Sequence, residues 1–202
     1  MKNILQIVSS INGEASFSTR LSNTIIENLK ETYPNSQVQQ LNLSATPYPY
    51  LETRHYGAFF TPAENQTADQ KEAVKHSDEA IKKLKDADII VIGVPLYNFG
   101  VPATLKGWID QVARAGETFS YADGAPRGLL TGRKVYLAIA SGAVYSQGPY
   151  KDYDFTENYL RAVLGFIGLT DITVFRVEGT MMAEVKETAL PKAIAAVEEF
   201  AF

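Results

Sequence analysis

Short apolar runs alternate with segments of helical periodicity along the whole chain, and this alternation restricts the possible folds more than any other feature of the sequence. The apolar runs predict five strands, at residues 4–8, 38–43, 89–94, 135–140 and 172–177. Apolar residues at helical spacing follow each run and predict helices within residues 21–29, 67–85, 105–112, 160–167 and 190–201. Strands that are separated by helices need crossover connections, so the sequence predicts a parallel sheet.

The order of the strands follows from which of them suits an edge of the sheet. The second strand carries three amides, Gln39, Gln40 and Asn42, which suit an edge. With right-handed crossovers, this predicts a flavodoxin-like α/β fold: one domain over residues 1–202, with a five-stranded parallel sheet in the order 2-1-3-4-5 and helices on both faces. Ligands of such sheets bind at the carboxyl ends of the strands, near the switch point between strands 1 and 3. The loops after strands 1, 3 and 4 are therefore the candidate functional loops.

Charge and composition exclude several classes of function. The chain has 19 basic and 23 acidic residues, a formal net charge of -4, which argues against a nucleic-acid-binding surface. It has no cysteine, and His55 and His76 do not have the spacing of metal ligands, so we expect no metal site. The sequence contains no apolar run of about 18 residues, the length that a membrane span needs. The N-terminus does not resemble a secretion signal, so we expect a cytoplasmic protein.

The loop after strand 1 is rich in hydroxyl groups and leads into a helix. It holds Ser9, Ser10, Ser16, Ser18 and Thr19. A helix start offers unpaired N–H groups and partial positive charge, which together suit a phosphate. The same serines are also typical of a plain helix cap and turn, and the sequence leaves both interpretations open.

The loops after strands 3 and 4 have different characters. Two prolines, Pro95 and Pro102, frame a loop of aromatic and amide residues, which could lay apolar surface against a flat ring. Core-packing aromatics in a plain turn are the alternative. Small residues follow strand 4 from Ser141 onward and allow backbone N–H groups to approach a ligand closely. No nucleophile elbow is present in this loop.

Taken together, the three loops resemble those of the FMN-dependent NADH azoreductases, a branch of the flavodoxin-like NAD(P)H:quinone reductases. The resemblance covers nearly the whole chain in order. The Tyr-Asn-Phe loop at 97–99 and the Val-Ala-Arg-Ala-Gly stretch at 112–116 are its most specific parts. The matching segments are Ser9-Ser10, Ser16-Phe17-Ser18, Pro95-Leu96-Tyr97-Asn98-Phe99, Leu105-Lys106, residues 110–119 and Gly165-Phe166-Ile167-Gly168.

The resemblance implies bound FMN, NADH as the electron donor, and a quinone or aromatic azo compound as the acceptor. It also implies a homodimer with two sites at the interface and hydride transfer in two steps, a ping-pong route. We expect no obligatory catalytic side chain, because the flavin carries the difficult chemistry. By position, Ser10, Ser16, Phe17 and Ser18 would hold the phosphate of FMN. The isoalloxazine ring would meet the remaining cofactor-binding residues, which are Pro95, Leu96, Tyr97, Asn98, Phe99, Ser141, Gly142, Ala143 and Val144.

The chain departs from the family pattern in the loop after strand 4. Gly142 stands where the family version has an arginine, and Ala143 and Val144 stand where it has glycines. Backbone donors survive this change, whereas a side-chain contact from the arginine does not. The sequence leaves open how this change affects the contacts of the ring edge and the preference for substrate.

Aromatic residues outside these loops are candidates for binding the substrate. Residues 44–66 form a long stretch without a regular period, and loops of this length are usually functional. We assign Tyr56 and Phe60 in it, together with Phe119 and Tyr121, to the substrate pocket or the dimer interface. A small satellite cluster folded over the sheet is the alternative. We expect His55 at the surface or an interface.

Three other functions fit the fold. A flavodoxin-type electron carrier would share the FMN but use one-electron chemistry. A phospho-receiver domain needs acidic residues after strands 1 and 3, where this chain has Ser9-Ser10 and Pro95-Leu96. A hydrolase needs metal ligands or a nucleophile–base pair, and the sequence has neither. The sequence leaves the physiological acceptor and the choice between NADH and NADPH open.

Overall fold

The computed structural model describes residues 1–121 and 124–202. The strands are Asn3–Val8 (β1), Gln37–Asn42 (β2), Ile89–Pro95 (β3), Phe119–Ser120 (β4), Arg127–Gly128 (β5), Lys134–Ala140 (β6) and Asp171–Val177 (β7). The helices are Phe17–Thr32 (α1), Thr53–Phe59 (α2), Ala68–Asp86 (α3), Ala103–Val112 (α4), Phe155–Phe166 (α5) and Lys186–Glu198 (α6). Short 3₁₀ turns lie at Gly13–Ala15, Ala63–Asn65 and Gly148–Tyr153.

The main sheet has five parallel strands in the order β2-β1-β3-β6-β7. Because β6 and β7 are the fourth and fifth predicted strands, the predicted fold and strand order are confirmed. The antiparallel pair β4–β5, in which Phe119 lies opposite Gly128, was not predicted from the sequence. Each strand of this pair has two residues, too few to produce a period that can be read from sequence.

The alternation of side chains along the central strands explains why helices cover both faces of the sheet. On β3, Ile90 and Ile92 pack in one core with residues of α3, α4 and α5. Ile89 and Val91 point to the opposite face, where they pack with residues of α1 and α6. The whole of β3 is buried, as the uninterrupted apolar run predicts.

Residues 44–66 are more regular than the sequence predicts, because they contain helix α2. His55 is 1% exposed within its own chain, so its predicted position at the surface or at an interface is wrong. Its Nδ1 accepts a hydrogen bond from the Glu52 N–H at 3.0 Å, and this contact closes the first turn of α2. Burial is the main cause that lowers the pKa of His55, and the nearby Arg54 lowers it further. The two residues form the start of a helix of only seven residues, too short for its period to be recognised.

Helix α6 also begins earlier than the periodicity predicts, at Lys186, so Pro191 lies inside the helix. Within residues 1–121 and 124–202, no helix has both the length and the apolar character required to cross a bilayer.

Candidate cofactor-binding site

An open cleft lies at the carboxyl end of the sheet, where the loops after β1, β3, β6 and β7 meet. Its volume is about 260 Å³. The three predicted loops all contribute to it, as expected for a doubly wound sheet. The lining residues are Ser10, Asn12, Ala15, Ser16, Phe17, Pro95, Leu96, Tyr97, Ala140, Ser141, Gly142, Thr180 and Met181.

The first wall of the cleft is the start of α1 with its hydroxyl groups. Ser16 is the N-cap residue, and its Oγ accepts from the Thr19 N–H at 3.5 Å and lies 3.0 Å from the Oγ of Ser18. The cap is therefore confirmed, and it is compatible with the phosphate interpretation, because capping uses one N–H of the first turn and leaves others free for an anion. A 16-residue helix also directs the positive end of its dipole at this place.

A glycine in the neighbouring strand allows α1 to lie close to the sheet. A Cβ atom on Gly93 would lie 3.1 Å from the carbonyl oxygen of Ser18 and 3.3 Å from the Oγ of Ser22. Most side chains at this position would push the start of α1 away from β3. The absence of a side chain at Gly93 thus sets how closely the serines at the start of α1 approach β3.

The second wall is a tight turn after β3. The backbones of Tyr97 and Gly100 exchange two hydrogen bonds, each 3.0 Å long. The two residues between them have positive φ angles, 49° at Asn98 and 70° at Phe99. Outside glycine this conformation is strained, and such strain concentrates at functional sites. The hydroxyl of Tyr97 lies 3.1 Å from the Oγ of Ser10, so this turn is tied to the first wall.

The third wall is the loop of residues 141–144, which is fixed through its carbonyl oxygens. The carbonyls of Ser141, Gly142 and Ala143 accept from N–H groups of residues 179–181, at 2.9 to 3.2 Å. Across the described residues, no backbone oxygen accepts from the N–H groups of residues 142–144. These donors remain for a ligand.

The loop after β7 was not among the loops predicted to carry the site, although Thr180 and Met181 line the cleft. The rule that ligands bind at carboxyl ends applies to β7 as well and could have identified it. The neighbouring Gly142 has no side chain, and a Cβ atom there would lie 3.0 Å from Cγ of Met181. Met181 therefore lies beside the position at which the family version has an arginine.

The predicted residues do not all meet at the cleft. Asn98, Phe99, Ser18, Ala143 and Val144 lie in the same loops but are not among the lining residues. The four predicted substrate residues do not line the cleft either. Tyr56 and Phe60 are exposed and pack together with ring centres 4.9 Å apart, and Phe119 and Tyr121 form a second pair at 5.6 Å.

The side chains around the cleft fit a flavin nucleotide better than a metal or an acid–base pair. The hydroxyls and helix start suit a phosphate, and Pro95, Leu96 and Met181 provide an apolar wall for a ring. The N–H group of Gly142, which lines the cleft, suits the polar edge of that ring. Among residues 1–121 and 124–202, no group of three or more His, Cys, Asp or Glu residues is arranged to hold a metal ion.

Comparison with known proteins agrees with this chemistry. A family model described as "Flavodoxin-like fold" matches residues 2–201. The chain is 46% identical over 200 residues to a protein of Herminiimonas arsenicoxydans named FMN-dependent NADH:quinone oxidoreductase, and the match covers 98% of each chain. It is also 46% identical over 202 residues to FMN-dependent NADH:quinone oxidoreductase 1 of Rhizobium etli, covering 100% of this chain and 98% of the other.

Two solved structures are similar over nearly their whole length. An azoreductase from Bacillus anthracis str. Sterne has a TM-score of 0.87 at 29% identity, with 99% of this chain and 100% of that chain covered. An FMN-dependent NADH-azoreductase from Bacillus anthracis str. Ames Ancestor, solved in complex with FMN, has a TM-score of 0.85 at 28% identity, with 100% of both chains covered.

Proposed function

Because the chain belongs to the flavodoxin-like family of the FMN-dependent NADH:quinone oxidoreductases, we propose that it binds FMN in the cleft and catalyses hydride transfer from NADH to quinones and aromatic azo compounds. The observation that carries the proposal is the convergence of three chemically different walls on one cleft. A hydroxyl-lined helix start, an apolar strained turn and a loop of available N–H groups match the phosphate, the ring face and the ring edge of one nucleotide.

In this proposal, the phosphate of FMN is held by Ser10, Ser16, Phe17 and Ser18. Ser10 and Ser16 donate hydroxyl hydrogen bonds, and the first N–H groups of α1 donate from Phe17 and Ser18. No lysine or arginine is needed in this set, because the helix start already favours negative charge.

The ring is covered on one side by Pro95–Phe99 and is met at its edge by Ser141–Val144. The turn supplies apolar contact and holds the ring in one orientation. FMN, when bound, supplies the two-electron chemistry, and the protein's part is to orient the reactants and exclude water. NADH and the acceptor use the same open face in turn, so the kinetics are ping-pong.

A second copy of the chain completes the substrate site in this proposal. Tyr56, Phe60, Phe99 and Tyr121 are large, exposed aromatic residues, the type that is enriched at interfaces. In a homodimer, these surfaces would be buried, and aromatic residues of one copy would lie over the cleft of the other. Sedimentation of the purified protein should then give twice the mass of the chain.

The decisive experiment is a spectroscopic titration of purified protein that has been loaded with FMN and desalted. We expect a yellow protein whose visible absorbance is lost on anaerobic addition of NADH and returns when a quinone is added. Steady-state NADH oxidation with the quinone separates an enzyme from an electron carrier, which should show almost none. Colourless protein after reconstitution, with no FMN uptake by calorimetry, would refute the proposal.

A further inference from the structure

We infer that Glu178 is a positioning residue for the cofactor, because its carboxylate fixes the loop whose N–H groups meet the ring edge. The inference rests on the proposed function and adds a residue that neither lines the cleft nor touches FMN in that proposal. It concerns the segment directly after residues 141–144, where the chain leaves the cleft.

The Glu178 carboxylate accepts three hydrogen bonds from two consecutive residues. Its Oε1 accepts from the N–H groups of Tyr145 and Ser146, at 2.8 Å each. Its Oε2 accepts from the Ser146 hydroxyl at 2.5 Å. Three donors on one carboxylate define the position of this segment closely, since hydrogen bonds to a charged acceptor are stronger than neutral ones.

Glu178 is itself held in place from behind by Arg176. The Nη1 of Arg176 lies 3.3 Å from the Oε1 of Glu178, and its Nη2 donates to Asp154 at 2.5 Å and to Glu157 at 2.6 Å. Although burial disfavours the charged guanidinium, hydrogen bonds to Glu157 and Asp154 outweigh it and raise the pKa of Arg176. The Glu178 side chain is only 12% exposed, so the pair is shielded from solvent.

The same network reaches the other loops of the cleft. Asp154 caps α5 by accepting from the N–H groups of Thr156 and Glu157, at 2.8 and 3.2 Å. The next residue, Phe155, donates its N–H to the carbonyl of Phe99 at 3.1 Å. One cluster of charges therefore lies behind the loops after β3, β6 and β7.

This arrangement fixes the cofactor-facing loop at both of its ends. The Ser141 N–H donates to the Val177 carbonyl at 2.9 Å, and Glu178 holds the chain from Tyr145 onward. The N–H groups between these anchors are thus ordered before any ligand arrives. Without Glu178, binding would have to order the loop, and that cost would appear as lost affinity.

The test compares Glu178→Ala with Glu178→Gln, measuring the Kd of FMN by quenching of flavin fluorescence. We expect about a tenfold or greater loss of affinity for Ala, because three bonds to a charged acceptor are removed. We expect less than about a threefold loss for Gln, because an amide oxygen still accepts both N–H groups. Hydrogen exchange of FMN-free protein should be faster at residues 142–146 in the alanine variant alone.

Glu184→Ala is the matched control, since Glu184 is an exposed acid in the same segment after β7, and its FMN affinity should equal that of the wild type. If the Glu178→Ala variant does not fold, Ser146→Ala removes one of the three bonds and should weaken FMN binding about threefold.

Unchanged affinity in Glu178→Ala, or in Ser146→Ala when the first variant does not fold, refutes the inference. An equal loss in Gln and Ala also refutes it, because charge rather than loop geometry would then be responsible. A wild-type protein that takes up no FMN would instead refute the proposed function.

Discussion

The two sides of the cleft are built in different ways. On the hydroxyl side, the bonds of the helix cap are local: the Oγ of Ser16 accepts from the Thr19 N–H and lies 3.0 Å from the Oγ of Ser18, all within the first turn of α1. On the amide side, residues 141–146 depend on bonds to residues 177–181, more than 30 positions further along the chain. The proposed phosphate site therefore rests mainly on one local motif, whereas the proposed site for the ring edge is assembled from segments that are distant in sequence. Substitutions on the two sides of the cleft should therefore have different effects on the affinity for FMN and on the free energy of unfolding.

The largest effect should come from removing the two hydroxyl groups that donate to the phosphate, with Ser10→Ala and Ser16→Ala together. The loss of two bonds to a charged phosphate should raise the Kd of FMN about a hundredfold. Loss of the Ser16 cap should also lower the free energy of unfolding by about 1 kcal/mol. Calorimetric titration and urea unfolding measure the two effects. Thr24→Ala in α1 is the control. If the Kd of FMN for the double variant is within threefold of the Kd for this control, the phosphate assignment is contradicted.

The next effect tests how α1 is seated against the sheet. Gly93→Ala places a Cβ atom 3.1 Å from a backbone oxygen of α1. We expect a loss of about 2 kcal/mol in the free energy of unfolding, because backbone cannot move aside as a flexible side chain can. Urea unfolding checks this. At Gly165 in α5 an added Cβ has no neighbour within 4 Å, so Gly165→Ala should be neutral or stabilising. An equal change in the free energy of unfolding for the two variants would contradict the close approach of α1 to β3 at Gly93.

These differences also explain how much could be predicted from sequence. The uniform apolar run of β3 and the serines before α1 express themselves within a few residues, so the fold and the residues of the hydroxyl loop could be predicted. The loop that holds Met181 follows from the rule for carboxyl ends, although it was not predicted. The role of Glu178 could not be predicted, since it depends on hydrogen bonds to Tyr145 and Ser146 in another loop, which no local period encodes. The burial of His55 could not be predicted either, for a different reason. Its burial depends on how the short α2 packs against α3, and α2 is too short to be recognised.

A third prediction concerns the turn that lies between the two sides. Asn98 has φ 49°, a conformation that asparagine tolerates better than alanine does. Asn98→Ala should therefore lower the free energy of unfolding by about 1 kcal/mol, and Asn98→Gly should leave it unchanged or slightly higher. Urea unfolding of both variants checks the difference. A similar stability for alanine and glycine would show that the turn is not strained at this position.

The smallest effect should appear in the pH dependence of the charge network behind the amide side. Burial alone would raise the pKa of Glu157, but hydrogen bonds from Arg176 and Arg161 outweigh it and lower the pKa. A lowered pKa means that the folded state favours the carboxylate. This contribution to stability is complete above the pKa of the unfolded chain and is lost as the pH falls through the folded value.

The wild type should accordingly be more stable than Glu157→Gln by about 0.5 kcal/mol at pH 7, and the difference should decrease once the pH falls below the ordinary pKa of glutamate, about 4.3. Urea unfolding of both proteins from pH 7 to pH 3 measures it. Because the hydroxyl side has no carboxylate in its bonds, the stability cost of Ser16→Ala should not change over the same range. A difference for Glu157→Gln that stays constant with pH would show that packing, and not the ion pair with Arg176, stabilises this end of α5.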